Sequence, residues 1–253
     1  MANLVHRVAH KLGRMTGSHV VPETVAVYWP EQYFAERLFE RLKPDCVLDV
    51  GANIGQYAQH LRNSGFRGTI LSFEPNPTAF KRLEEAAKDD PDWHCYQMAL
   101  GRSVGSLPFN VMENDVFSSF GTAADFGKET FEEGMRIVET VNVETDTLEN
   151  LLPKLMAEHK FHNPFLKMDT QGFDLDVLRG AGAEAKHFCA LLSEVAILRI
   201  YDQSPPFGES VETFQAAGFD VTAMFSNHPE MLLHTIEVNC YCVRQDLARA
   251  EHF

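Results

Sequence analysis

Apolar and polar positions along this chain keep two rhythms. Phe34, Leu38 and Leu42 recur every four residues, which predicts a helix over 30–43, begun by Pro30 and ended by Pro44. Residues 46–50 then run apolar apart from Asp49, the pattern of a strand buried on both faces. A glycine turn from Gly51 to Gly55 leads into a helix over 55–64 that stops at Gly65. Residues 69–73 make a second buried strand. Asn76 is placed to cap the next helix, with Pro77 at its first position and Phe80, Leu83 and Ala87 on its inner face. A third strand falls at 93–98. Strand and helix thus alternate at the spacing of βαβ units, which predicts a parallel sheet with right-handed crossovers.

The remainder is less regular. Strands at 106–112 and 136–143 flank a stretch rich in Gly, Ser and Asp, 114–134, that reads as a mobile loop. A helix over 146–157 precedes a fourth core strand at 165–168. After it come a turn at 169–172 and a helix from about 174. A fifth strand covers 190–195. Pro205 and Pro206 break the chain before a helix near 209–217. Strands at 219–225 and 235–243 close the domain. In the last, Ile236, Val238, Cys240 and Cys242 alternate with polar residues, which predicts an antiparallel strand with unlike faces. With no linker or repeat in view, residues 1–44 read as a helical extension and 45–253 as one domain.

Composition narrows the function. The formal net charge of −14, from 36 acidic and 22 basic residues, repels phosphate backbones, so no nucleic-acid partner is expected. No stretch stays apolar for the about 18 residues that a membrane span needs. Residues 1–17 lack a signal core, although Leu4, Val5, Val8, Leu12 and Met15 suit one face of a short helix. The five cysteines are odd in number and include no Cys-x-x-Cys pair, so they read as buried, reduced thiols of a cytoplasmic protein. His6 with His10 and His159 with His162 have helical spacing. Neither pair has a cysteine or carboxylate at metal-ligand spacing, so surface histidines are expected and no metal site.

In an open parallel sheet, ligands sit beyond the carboxyl ends of the strands. Here those ends carry Asp49, Gly51, Asn53, Gly55, Glu74, Asp169 and Glu194. The glycine turn lets backbone approach a ligand closely. Its spacing is Gly-x-x-x-Gly, unlike the dinucleotide fingerprint, and Asp49 would repel a pyrophosphate. A carboxylate there suits a ligand with an ammonium group, such as the amino-acid end of S-adenosylmethionine. Glu74 is placed to accept hydrogen bonds from a ribose diol.

Four ordered blocks carry a family resemblance: Val47 to Gly55, Phe73-Glu-Pro-Asn76, Ala99-Leu-Gly101 and Leu166 to Phe173. Together they resemble the FkbM family of methyltransferases, from about residue 45 to 244. The resemblance implies an α/β class I, Rossmann-like methyltransferase fold. That is a mostly parallel seven-stranded sheet with an antiparallel last strand and helices on both faces. It also implies S-adenosylmethionine as methyl donor and O-methylation of a saccharide, glycan or polyketide-type hydroxyl.

Within that frame Asp49, Gly51, Asn53, Gly55 and Glu74 hold the cofactor, and Pro75 and Asn76 shape the turn beside it. Ala99 ends the segment where the family's adenine pocket is expected, and Ser118 is placed to touch adenine. An alcohol barely ionises at neutral pH, so a base near the methyl group helps; Asp169 is the first choice and Glu194 the second. Magnesium held by that pair is an alternative that this reading does not expect. Lys167, inside a central strand, needs a carboxylate partner from Asp169, Asp49 or Glu194. Acceptor selectivity is assigned to 114–134, to the first 44 residues and to 201–209, where Tyr201, Phe207 and Trp29 are candidates for stacking on a sugar. The rival functions are an N-methyltransferase, an NAD-dependent dehydrogenase and a silent methyltransferase-fold binding module.

Overall fold

A computed structural model describes residues 26–131, 134–231 and 233–250. The expected amphipathic face over 4–15, with His6 and His10, lies outside the described residues. The chain divides into two units, Met1–Arg41 and Leu42–Phe253. Most of the described part of the first is helix α1 (Trp29–Leu42), with Glu31 in its first turn and Arg41 in its last, both favourable to the helix dipole.

The second unit is built on a seven-stranded sheet among the described residues. Its strands are β1 (Cys46–Val50), β2 (Thr69–Phe73), β3 (Trp93–Tyr96), β7 (Pro164–Met168), β8 (Ala190–Ala196), β9 (Phe219–Ser226) and β10 (Glu237–Arg244). Their order is β3-β2-β1-β7-β8-β10-β9. The pairs from β3 across to β8 are parallel, and β10 lies antiparallel between β8 and β9. The expected seven-stranded fold with an antiparallel last strand is therefore present. Every residue of β1 and of β7 is buried, because helices cover both faces of a parallel sheet. Among these helices are α2 (Gln56–Asn63), α3 (Pro77–Ala87), α5 (Leu148–His159), α6 (Asp174–Arg179) and α7 (Phe207–Ala216). The Asn76 cap of α3 forms as the sequence predicts, its side chain accepting from Thr78 N at 3.0 Å.

Three expectations are refined. The last strand is antiparallel with the unlike faces expected, but neither is open: β10 buries Cys240 and Cys242 on one face and Glu237 and Tyr241 on the other. Val238, Cys240 and Cys242 pack into the main apolar cluster on one face. The third strand ends at Tyr96, not at residue 98; the chain turns there, with Met98 N donating to Tyr96 O. It then enters a second sheet, order β4-β6-β5, made of β4 (Ala99–Leu100), β5 (Gly105–Met112) and β6 (Ile137–Asp146). The stretch 114–134, expected as a loop, contains a 3-10 turn (Asp115–Phe117) and helix α4 (Asp125–Thr130). Phe117, Phe126 and Phe131 pack there against a buried cluster of Ala123, Met135, Ile200, Tyr201 and Ile236. These aromatics have no helical or strand period, so only tertiary burial reveals them.

Cys46, Cys189, Cys240 and Cys242 are buried and unbonded, and burial pushes the Cys189 thiol up to about 12. His159 is not the solvated histidine expected. Its ring lies against His94, with centroids 4.2 Å apart, and its Nε2 is 2.9 Å from the Tyr96 hydroxyl. Burial, and then His94, hold its pKa below the usual value. No described helix is long and apolar enough to cross a membrane.

Candidate active site

Strand register places polar side chains on one face of an otherwise apolar sheet. Asp49 pairs across with Ser72 on one side and Lys167 on the other. Two residues on, Asp169 follows Lys167, and Glu194 follows Leu192 on the neighbouring strand. Side chains two apart in a strand share a face, so the strand-end acids converge.

Asp49 is fully buried and does not stand free. Lys167 Nζ lies 3.0 Å from its Oδ1, 3.5 Å from Asp169 Oδ2 and 2.9 Å from the carbonyl of Gly51. This is the ion pair that a lysine inside a central strand requires. Burial disfavours the ammonium, yet the charges of Asp49 and Asp169 outweigh it and hold the Lys167 pKa above its usual value.

The turn after β1 is drawn against the turn after β7. Gly51 has φ +74°, and a Cβ there would stand 1.9 Å from Asp169 O. Gly55 has φ +86° and sits against the Trp93 ring. Asn53 also has positive φ, and its backbone N–H donates to Glu74 Oε2 at 2.7 Å. Asn76 N–H donates to Glu74 Oε1 at 2.8 Å. Glu74 thereby ties the ends of β1 and β2 together. Burial pushes its pKa up to about 7, against the lowering pull of those two N–H groups and of Lys167. Each of its oxygens keeps acceptor capacity. Beside it, Asn76 Nδ2 is buried without a hydrogen-bond partner among the described residues. Pro75 continues the turn between these two residues.

The second half of the site follows β7 and β8. Gln171, with φ +54°, extends its amide between two acids. Its Nε2 donates to Asp169 Oδ1 at 2.9 Å and to Glu194 Oε2 at 3.2 Å. Asn227 Nδ2 donates to Glu194 Oε1. The Tyr201 hydroxyl donates to Gln171 Oε1 at 2.8 Å, with Phe117 O as another acceptor at 3.0 Å. Asp174 fixes the turn. Its Oδ1 accepts from Thr170 N and Oγ1, and its Oδ2 from Ser193 Oγ and Glu194 N. Burial first, and then the charge of Asp169, push Glu194 well above the usual carboxylate range. Glu237 is pushed up to about 8 by burial and by Asp169 and Asp174.

The sequence-derived residues fall into two groups. Asp49, Gly51, Asn53, Gly55, Glu74, Pro75 and Asn76 gather at the β1 and β2 ends, with Asp169 and Glu194 beside them. Ala99 starts β4 and packs with Phe109, Val111 and Val143. Ser118 Oγ accepts from Met112 N, while its neighbour Ser119 donates to Gln171 O at 2.9 Å. Tyr201 is fully buried with its hydroxyl engaged, so it is not a stacking platform for a sugar. Gln171, Asp174, Asn227 and Glu237 were not foreseen. For Glu237 the signal is present: Glu237, Asn239 and Tyr241 are the polar positions of the alternation that predicts unlike faces for the last strand.

Comparison with known proteins adds to this geometry. The Methyltransferase FkbM domain matches residues 49–232. Methyltransferase sdnD of Sordaria araneosa is 27% identical over 157 residues, covering 54% of this chain; the chain spans 61% of that protein's length. Hexuronic acid methyltransferase AglP of Haloferax volcanii is 27% identical over 185 residues, covering 66% of this chain and 70% of that protein. Among solved structures, Aeropyrum pernix fibrillarin in complex with natively bound S-adenosyl-L-methionine is 14% identical with a TM-score of 0.44, covering 83% of this chain and 74% of that one.

Proposed function

The chain belongs to the FkbM methyltransferase family, and from that premise we propose that it moves the methyl group of S-adenosylmethionine onto a hydroxyl oxygen of a saccharide, glycan or polyketide-type acceptor. One observation carries this reading. The Gly51–Gly55 turn, clamped by Glu74, abuts the turn that presents Asp169, and Gln171 joins Asp169 to Glu194 on β8, so a glycine turn and two acids share one edge of the sheet.

The residues fit such a donor. Glu74 has acceptor capacity left for a ribose diol, and the orphaned Asn76 Nδ2 offers a buried donor next to it. Asp49 is compensated by Lys167, so the site's cation preference falls on Asp169, Glu194 and Glu237 as a group. The haloarchaeal relative is named for a hexuronic acid, which agrees with a sugar-class acceptor and not with any one charge on it.

When bound, S-adenosylmethionine supplies an electrophilic methyl group on a sulfonium leaving group. The chain must align the acceptor oxygen, exclude water and take its proton. Asp169, with its side chain 40% exposed, is open to an entering hydroxyl. Its carboxylate receives the hydroxyl proton as the oxygen attacks. Gln171 holds it in register with Glu194, and Asp174 holds the turn beneath. Glu194, half-buried and raised, orients the acceptor through a hydrogen bond. Labelled-methyl transfer to a panel of neutral sugars, polyketide alcohols and matching amino sugars tests this. Incorporation into an ether oxygen supports it; transfer only to amine nitrogen rejects it.

A further inference from the structure

We propose that Glu237 and Asn227 form an acceptor subsite that takes an uncharged, hydroxyl-bearing group and rejects an anionic one. The inference rests on the methyltransferase reading above and deepens it.

The two residues are neighbours at the end of the sheet: Asn227 N donates to Glu237 O at 3.1 Å. In the β8–β10 register Asn239 faces Glu194 and Glu237 faces Ala196. Glu237 therefore shares a face with Glu194. It is 9% exposed, and among the described residues its carboxylate has no hydrogen bond or ion pair. Asn227 Oδ1 is buried and also has no partner.

The side-chain donors already described at this site are engaged. Gln171 Nε2 serves Asp169 and Glu194, Asn227 Nδ2 serves Glu194, and the Tyr201 hydroxyl serves Gln171 Oε1. Lys167 is held by Asp49 and the Gly51 carbonyl. What remains is acceptor capacity on Glu237 and Asn227. Buried acceptors without donors are costly, and a ligand that brings donors relieves them. Hydroxyls do so. A carboxylate or phosphate brings further acceptors and a like charge beside Asp169, Glu194 and Glu237, which is opposed. An ammonium also brings donors. The bound cofactor would already place a cation beside these acids, and a second one next to it is opposed too.

The test uses the full chain loaded with S-adenosylhomocysteine and three probes at pH 8.5: methyl glucoside, methyl glucuronide and 2-aminoethyl glucoside, whose alkylamine stays largely protonated at that pH. Binding is read by calorimetry. The glucoside should bind at least about tenfold tighter than the glucuronide. Glu237→Gln, which keeps shape and hydrogen-bonding reach, should narrow that margin to about threefold or less. Glu237→Asp, checked for folding by its thermal midpoint, should keep the margin while weakening the glucoside. Equal or tighter glucuronide binding, a full margin in Glu237→Gln, a tenfold preference for the aminoethyl glucoside, or no binding by any probe overturns the subsite. S-adenosylhomocysteine binding separates the failures. If it does not bind, the methyltransferase reading falls; if it binds and the probes contradict, only the subsite falls.

Discussion

The α-carbon of Gly51 rests against the carbonyl of Asp169, so closely that a Cβ would stand 1.9 Å from that oxygen. The turn that would hold the cofactor and the turn that presents the base are thus one packed unit. Gly51 also has φ +74°, where any other L-residue is strained. Gly51→Ala should lower stability by about 2–4 kcal/mol and abolish cofactor binding. Denaturant titration and calorimetry check the two effects, and a variant of unchanged stability would show that the contact relaxes without cost.

Lys167 and Asp49 make a second test. Both side chains are nearly inaccessible, at 8% and 0% exposure. Removing one partner leaves a buried charge, so Lys167→Met and Asp49→Asn should each cost about 3–5 kcal/mol. The double variant should recover much of that loss. A double-mutant cycle by urea unfolding gives the coupling.

Glu74 predicts a pH dependence. Its pKa in the folded chain is pushed up to about 7 from its ordinary 4.5. The unfolded chain releases this proton first, so the group's contribution to stability is lost as pH rises from about 4.5 to about 7, by at most about 1.4 kcal/mol per pH unit. Glu74→Gln should flatten that slope in unfolding curves taken across this window. Cofactor affinity should move the other way. An ionised carboxylate is the stronger acceptor, so S-adenosylmethionine should bind several-fold tighter at pH 8 than at pH 5.5, with proton release visible as a buffer-dependent heat.

Asp169→Asn should reduce turnover by about 10²–10⁴-fold while cofactor affinity stays within about threefold. Gln171→Ala removes the N–H donor shared by Asp169 and Glu194. Loss of that donor further disfavours the charged form of Glu194, so turnover should fall about tenfold and the acid limb of its pH profile should move to higher pH. Steady-state rates across pH 5 to 9 distinguish this from simple loss of folded enzyme. Unchanged turnover in Asp169→Asn would remove Asp169 from catalysis.

The elements that the sequence reveals are those whose burial is two-sided and local. The run at 46–50, the run at 165–168 and the Asn76 cap are all legible, because a parallel strand is apolar throughout and a cap lies within two residues of its partner. The strand-end acids follow from the same topology. What escapes depends on contacts far apart in the chain. Glu237 and Asn239 look like a wet strand face until β10 is placed between β8 and β9, where that face meets Glu194. Phe117 and Phe131 look like loop residues until Tyr201 is packed against them. Gln171 looks like a turn residue, and its reach to Glu194 depends on how β8 lies beside β7.

Calorimetric titration of the full chain with S-adenosylmethionine and with NAD, in wild type and in Glu74→Ala, bears most directly on the role given to the acids at the β1 and β2 ends. One S-adenosylmethionine should bind per chain, at least about tenfold more weakly in the variant, with no heat from NAD. Binding of NAD, or S-adenosylmethionine affinity untouched by loss of the Glu74 carboxylate, would contradict it.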